Sequence, residues 1–258
     1  MEKWIFAFTL CALALTTEAA VRTEVIEYKD GDVVLEGYVA WDDANTGTRA
    51  AIVVAHDWMG LGDFAKGKAE ALAKLGYIAF AADLYGKGVR PKNSDEAKTE
   101  ATKYYSDRSV IRGRMKAAVA VVKSRKEVDT ARIGAIGFCF GGMSALELAR
   151  SGADVRGVVS FHGGLNTPNF DDAKHIKGKL LVLHGADDPY VSSDEVMGFE
   201  HEMTSAGCNW ELVKYSGAVH SFTNPAAGND NSKGAAYNSQ ADARSWIAMK
   251  NFFDEIFR

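Results

Sequence analysis

The sequence predicts one α/β domain: a mostly parallel, doubly wound sheet with helices on both faces. Short, continuous apolar runs alternate along the chain with longer segments whose apolar residues recur at helical spacing, the pattern of strands joined by crossover helices. The apolar runs lack polar alternation, so their strands are expected to be buried on both faces. At 258 residues, with 47% hydrophobic and 25% charged residues and no visible linker, the chain has the size of a single domain.

Each element has its own local signal. Residues 25–28 and 33–41 alternate apolar and polar side chains around Asp30-Gly31, a combination typical of a hairpin, here at one edge of the sheet. Further strands are predicted at residues 50–55, 77–82, 133–136, 157–161, 180–183 and 210–215. Helices are predicted at residues 64–75, 92–106, 111–122, 143–150, 193–205 and 235–257. Residues 162–179 are predicted to form a loop.

A cysteine occupies the turn between the strand at 133–136 and the helix at 143–150. Gly137 and Gly141 lie two positions either side of Cys139. Small residues there allow the two backbones to pass closely, so a sharp strand-to-helix turn with Cys139 at its apex is predicted. The thiol would then face free N–H groups at a helix N-terminus, which favour a thiolate. A buried, inert cysteine is the structural alternative.

An acidic turn and a histidine follow two later strands. Asp187 and Asp188 come just after the strand at 180–183, and His220 follows the strand at 210–215. Nucleophile, acid and histidine in this chain order are typical of α/β-hydrolase triads. All of these positions lie where active sites of doubly wound sheets lie, at the carboxyl ends of strands. The spacings therefore predict a Cys–His–Asp triad.

Four segments resemble the dienelactone hydrolase family: residues 137–142, 83–85, 185–188 and 218–222. The similarity extends over most of the chain after about Val34. It implies an α/β-hydrolase fold and the hydrolysis of an ester or lactone through a thioester intermediate. It also implies that the triad is Cys139, Asp188 and His220, with Asp187 as a neighbour. The cysteine is distinctive, because most α/β-hydrolases carry serine at the turn.

The α/β-hydrolase pattern also predicts how the reaction's negative charge is stabilised. The backbone N–H of Phe140, with a second N–H from the turn at Asp57-Trp58, would form the oxyanion hole. The family carries a glutamate at the position of Asp57, where it interacts with the resting cysteine and helps to activate it. Asp57 is one methylene shorter, so it is expected either to take that role or to cap its turn.

Substrate recognition departs from the family pattern. Members that open dienelactones hold the substrate carboxylate with two arginines, and the matching positions here are Lys87 and Asn224. Lysine keeps the charge without the fork geometry, and asparagine keeps neither. An aromatic pocket wall is expected to be formed by Trp58, Tyr85 and Phe222. The substrate is predicted to be a small-molecule ester or lactone.

Other ligands and functions find little support in the sequence. A net charge of −4 without a basic cluster does not indicate nucleic-acid binding. No histidine, cysteine and carboxylate group has zinc-ligand spacing, so neither a metal nor another cofactor is implied. His56, His162 and His184 are interpreted as structural residues or pocket walls. The rival functions are an exported, non-catalytic binding protein and a thiol redox protein, although the latter normally has a second cysteine as Cys-x-x-Cys. The oligomeric state is not indicated.

The N-terminal residues 1–19 are predicted to form a cleavable signal peptide, with residues 20–258 as the mature domain. An apolar run at 4–15 precedes Thr17-Glu18-Ala19, which places small residues where a signal peptidase reads. The run is too short to span a membrane, so the mature protein is expected to be periplasmic or secreted and free of the membrane. The alternative is an apolar segment packed on the fold.

Overall fold

An eight-stranded sheet runs through the molecule. The structure, a computed structural model, describes residues 20–105 and 107–258, so the predicted signal peptide lies outside the described residues. The strands are β1 Val21–Asp30, β2 Val33–Asp42, β3 Arg49–Ala55, β4 Ile78–Ala82, β5 Val128–Phe138, β6 Gly157–Phe161, β7 Lys179–Gly185 and β8 Trp210–Tyr215. The helices are α1 Asp63–Lys74, α2 Ser94–Thr102, α3 Arg108–Lys123, α4 Phe140–Arg150, α5 Ser193–Ser205 and α6 Ser239–Ile256.

The strand order is β1-β2-β4-β3-β5-β6-β7-β8, and all pairs from β4 to β8 are parallel. The predicted hairpin is confirmed at one edge, where β1 and β2 pair antiparallel and β2 joins β4. Asp30 pairs with Val33, so Gly31 and Asp32 form a two-residue turn, and Gly31 takes the positive φ of 57° that such turns require.

Two apolar layers cover the two faces of the sheet, as the continuous apolar strands predict. Buried side chains of α3, α4 and α5 pack on one face, with Met115, Leu146 and Phe199 among them. Those of α1 and α6 pack on the other face, including Leu72 and Phe253. None of the helices in the described part of the chain is long and apolar enough to cross a membrane.

Several boundaries differ from the prediction. Helix α4 begins at Phe140, three residues earlier than predicted, because Gly141 and Gly142 take up its first turn despite their low helix propensity. Strand β5 begins at Val128, because its polar start pairs with Arg49 across a bulge. The predicted loop at 162–179 contains a short 3₁₀ helix, Phe170–His175.

Candidate active site

Cys139 lies at the apex of the strand-to-helix turn between β5 and α4. Its backbone has φ 55° and ψ −117°, a conformation that costs on the order of 1–3 kcal/mol. A Cβ at Gly137 would overlap the carbonyl oxygen of Gly141, and a Cβ at Gly141 would overlap that of Ala55. The two glycines are therefore required by the close approach of α4 to the sheet, as the sequence predicts.

Asp188 and His220 lie together at the same edge of the sheet. The Nδ1 of His220 is 2.8 Å from Oδ2 of Asp188, whose side chain has no solvent exposure. The other carboxylate oxygen of Asp188 accepts the N–H of Tyr190 at 2.9 Å. Asp187 is exposed and instead accepts the N–H of Gly217 at 3.1 Å. Of the two adjacent aspartates, the structure brings only Asp188 to the histidine.

Cys139 and His220 line the same cavity and interact electrostatically. Burial lowers the pKa of His220, but a Cys139 thiolate and the hydrogen bond to Asp188 outweigh burial and raise this pKa to about 10. The raised pKa favours the protonated, cationic form of the His220 imidazole. A thiolate and an imidazolium stabilise one another in such an arrangement.

The two residues whose backbone N–H groups are predicted to form an oxyanion hole, Phe140 and Trp58, line the cavity together with Cys139. Asp57 uses its Oδ1 to accept the N–H of Met59 at 2.8 Å, which is the turn-capping arrangement. Burial raises the pKa of Asp57, while the Met59 N–H and the charge of His220 oppose this.

The histidines at the other strand ends are buried. His56 is held by the carbonyl of Asp57 at 2.6 Å and the N–H of Leu84 at 3.1 Å, and its burial lowers its pKa to about 4. Burial also lowers the pKa of His184. His162 contacts the candidate site directly: its Nδ1 accepts the backbone N–H of Cys139 at 3.2 Å. Sequence reasoning missed this contact, although His162 follows β6, the neighbour of β5.

Most of the predicted substrate-binding residues do not themselves line the cavity. Lys87 is half-exposed and paired with Glu27, and the side chain of Asn224 caps a short 3₁₀ helix by accepting the N–H of Ala226 at 3.0 Å. Phe222 is fully buried in the apolar core. Tyr85 is also buried, and its hydroxyl donates to the carbonyl of Trp58 at 3.0 Å. Trp58 is the one member of this set that lines the cavity.

The cavity itself has a volume of about 530 Å³ and opens beside Cys139. Six separate stretches of the chain, each following a different strand, contribute to its walls, so the sequence carried no local signal for it. The apolar lining includes Trp58, Tyr105, Phe140, Met143, Tyr190 and Val191. The polar lining outside Cys139 and His220 includes Lys98, Asn166 and Glu195. This volume and mixed lining suit a small organic molecule.

Known proteins resemble this chain along most of its length. A sequence model of the dienelactone hydrolase family matches residues 35–257. A crystal structure of a dienelactone hydrolase-like promiscuous phosphotriesterase from metagenomic libraries is 40% identical, covers 92% of this chain and 99% of its own, and has a TM-score of 0.88. A Synechocystis protein assigned as a carboxymethylenebutenolidase is 24% identical over 90% of this chain and 96% of its own length.

A more distant structure shares the fold. The dienelactone hydrolase from Anabaena variabilis is 19% identical, covers 89% of this chain and 96% of its own, and has a TM-score of 0.64. The family match spans far more than half of the chain and includes every segment that forms the candidate site. The chain therefore belongs to the dienelactone hydrolase family, and it is a hydrolase with the α/β-hydrolase fold.

Proposed function

We propose that this protein hydrolyses carboxylic esters or lactones, with Cys139 as nucleophile, His220 as acid and base, and Asp188 as the group that orients His220. The observation that carries the proposal is the position of His220, bonded to the buried Asp188 at 2.8 Å and facing the cavity that Cys139 lines. This is the relation that a triad requires of nucleophile, base and orienting acid.

In the first half of the reaction, His220 holds the proton of Cys139, and the thiolate attacks the substrate carbonyl. The N–H groups of Phe140 and Trp58 stabilise the oxyanion, each by about 3–4 kcal/mol if they resemble measured donors. The intermediate collapses to a thioester as the C–O bond breaks. The leaving alkoxide takes its proton from His220 and departs as an alcohol, or stays attached when the substrate is a lactone.

In the second half, water attacks the thioester carbonyl while His220 accepts the water proton. The C–S bond breaks, the carboxylic acid leaves, and Cys139 and His220 return to their starting state. Asp188 keeps Nδ1 of His220 protonated throughout, so that Nε2 is the atom that exchanges protons. The Asp57 side chain stabilises the turn that carries Trp58. In this proposal it also helps to activate the thiol of Cys139.

Neutral phosphotriesters are a second candidate substrate class. The observation that favours them is the similarity to a promiscuous phosphotriesterase, at 40% identity over 92% of this chain. The cavity beside Cys139 is large enough, at about 530 Å³, for either class of substrate. An aryl phosphotriester assayed beside an aryl carboxylate ester will decide which class is preferred.

A thiol redox function is less well supported by the positions of the two free cysteines among residues 20–105 and 107–258. Cys208 precedes β8 at the amino end of the sheet, and its thiol donates to the carbonyl of Ala173 at 3.4 Å. Cys139 follows β5 at the carboxyl end. A strand of six residues is roughly 20 Å long, which is too far for the thiols to meet.

The test uses purified protein, an aryl ester and a simple lactone, with and without iodoacetamide. We expect alkylation of Cys139, or the substitution Cys139→Ala, to abolish turnover while the fold is retained. Cys208→Ala is the matched control and should keep full activity. An acid-quenched reaction should carry the acyl group on Cys139, detected by mass spectrometry. Comparable turnover by Cys139→Ala would refute Cys139 as the nucleophile. The protein would then be a hydrolase that does not use this triad.

A further inference from the structure

His162 connects the two chain segments that carry Cys139 and His220. Its Nδ1 lies 3.2 Å from the backbone nitrogen of Cys139, and its Nε2 lies 2.8 Å from Oγ1 of Thr223. A backbone N–H can only donate, so Nδ1 must be the unprotonated nitrogen. Nε2 therefore carries the proton and donates it to the Thr223 hydroxyl. Thr223 is fully buried and lies three residues after His220.

The contact joins two residues with unfavourable backbone conformations. Cys139 has a positive φ of 55°, and His162 has one of 40°. The Cys139 N–H is shared between the carbonyl of Phe161 at 3.0 Å and Nδ1 of His162 at 3.2 Å, a three-centre hydrogen bond. Unfavourable backbone conformations of this kind persist only when the surroundings hold them in place. The His162 ring is one of the groups that hold Cys139.

The His162 ring is also fixed by packing and stays neutral. It is 2% exposed and meets the rings of His220 and Phe222 edge-on at 5.2 and 5.0 Å. Burial holds the pKa of His162 well below its usual range, and the electrostatic effects of His220, Lys68 and His184 act in the same direction. A neutral His162 leaves His220 as the only imidazole of this pair that gains a proton.

We propose that His162 is a positioning residue that ties the Cys139 turn to the His220 loop, so that sulfur and imidazole keep the geometry that proton transfer needs. The proposal rests on the proposed function, since it assigns that reaction to Cys139 and His220. His162 does not line the cavity and so is not expected to touch substrate. Its effect passes through the two bonds on opposite sides of its ring.

The sharpest test removes the far end of this link. Thr223→Val keeps the shape of the side chain and deletes the acceptor, which leaves the Nε2–H of His162 buried without a partner. We expect kcat to fall about tenfold and KM to change less than twofold, because the reacting groups rather than the substrate contacts are displaced. Thr223→Ser retains the hydroxyl and should return kcat to within about twofold of wild type.

A double-mutant cycle shows whether the two bonds act as one link. His162→Asn places an amide oxygen near the Cys139 N–H, and asparagine tolerates a positive φ, but the bond to Thr223 is lost. We expect His162→Asn to lower kcat about as much as Thr223→Val, and the double variant to show no further loss. Losses that multiply fully in the double variant would overturn the proposal.

Ser245→Ala is the control for deleting a buried hydroxyl. Ser245 is fully buried in α6, and its hydroxyl donates to the carbonyl of Asp242 at 2.9 Å. We expect its kcat to match wild type, while urea denaturation reports the loss of stability in every variant. If Thr223→Val retains wild-type kcat, or if Ser245→Ala loses as much, His162 is only a packed core residue.

Alkylation of Cys139 by iodoacetamide across a pH series supplies a readout that needs no turnover. We expect Thr223→Val to slow alkylation at neutral pH, because the thiolate loses part of its alignment with His220, and Thr223→Ser to restore the rate. Unchanged alkylation in Thr223→Val would overturn the positioning role. A different outcome separates this proposal from the proposed function. If Thr223→Val shifts the pH profile of alkylation while Cys139→Ala still hydrolyses the substrate, only the proposed function is refuted.

Discussion

Replacing Asp188 by asparagine should disable His220 while disturbing little else. In the structure, Oδ1 of Asp188 accepts the N–H of Tyr190 at 2.9 Å and Oδ2 faces Nδ1 of His220 at 2.8 Å. The amide oxygen of asparagine will keep the bond to Tyr190, since an N–H group needs an acceptor. Its NH₂ group is then turned toward Nδ1 of His220, where a carboxylate oxygen used to be.

The size of the effect follows from that exchange. Facing an NH₂ donor, Nδ1 of His220 must accept, so the proton moves to Nε2 and the ring can no longer take a proton from Cys139. The same change costs about 10⁴ in kcat in a serine triad. A charge-assisted hydrogen bond alone is worth about 1.5–3 kcal/mol, or roughly 10- to 150-fold. A thiol ionises more readily than a hydroxyl, so we expect kcat/KM to fall by roughly 10² to 10⁴.

The assay is aryl ester hydrolysis, supported by the rate of Cys139 alkylation across a pH series. Asp187→Asn is the matched control, because Asp187 is the exposed neighbour and its carboxylate accepts the backbone N–H of Gly217 rather than contacting His220. It should stay within about twofold of wild type. An Asp188→Asn enzyme within about threefold of wild type, or an equal loss in Asp187→Asn, would refute the assignment of Asp188.

Three further outcomes are expected. The folded-state pKa of His220, about 10, exceeds its ordinary value of 6.5, so the protonation of His220 stabilises the folded protein fully below pH 6.5, and this stabilisation is lost as pH rises toward 10. The unfolding free energies of wild type and His220→Gln, measured by urea denaturation, should therefore converge over that range. A constant difference between them would contradict this prediction. Arg150 and Glu202 are buried, and two guanidinium nitrogens of Arg150 donate to the Glu202 carboxylate oxygens at 2.7 and 2.9 Å. Arg150→Ala should therefore lower the unfolding free energy by about 3–5 kcal/mol, because it leaves the Glu202 charge buried without its partner. A loss below about 1 kcal/mol would show that the ion pair is not needed for stability. Mass spectrometry of protein from its native source should find Ala20 as the first residue, and an intact N-terminus would refute the predicted export.

Features that depend on neighbouring residues were predictable from the sequence. The Cys139 turn is specified by glycines on either side, and its tight geometry follows from their missing Cβ atoms. The buried strands were visible as apolar runs, and their carboxyl ends correctly located Asp188 and His220 at one edge of the sheet. The hairpin of β1 and β2 was visible from Asp30-Gly31, although the turn itself consists of Gly31 and Asp32.

Features assembled from distant segments were not predictable in this way. Lys87 and Asn224 are predicted to contact substrate, and no sequence pattern indicates the local partners that they have in the structure, Glu27 and the N–H of Ala226. The contact between His162 and the Cys139 N–H depends on the register of β5 against β6, in which Phe138 pairs with Phe161. No property of an isolated histidine reports such a register.

The cavity walls have a consequence for how this enzyme could be redesigned. Lys98 and Tyr105 come from the connection between β4 and α3, whereas Cys139, Asp188 and His220 follow β5, β7 and β8. This part of the wall thus lies on a different stretch of chain from the three residues that we propose carry out the reaction. Under the proposed function, exchanging residues 86–105 for the matching segment of a relative should alter substrate preference and leave Cys139, Asp188 and His220 in place.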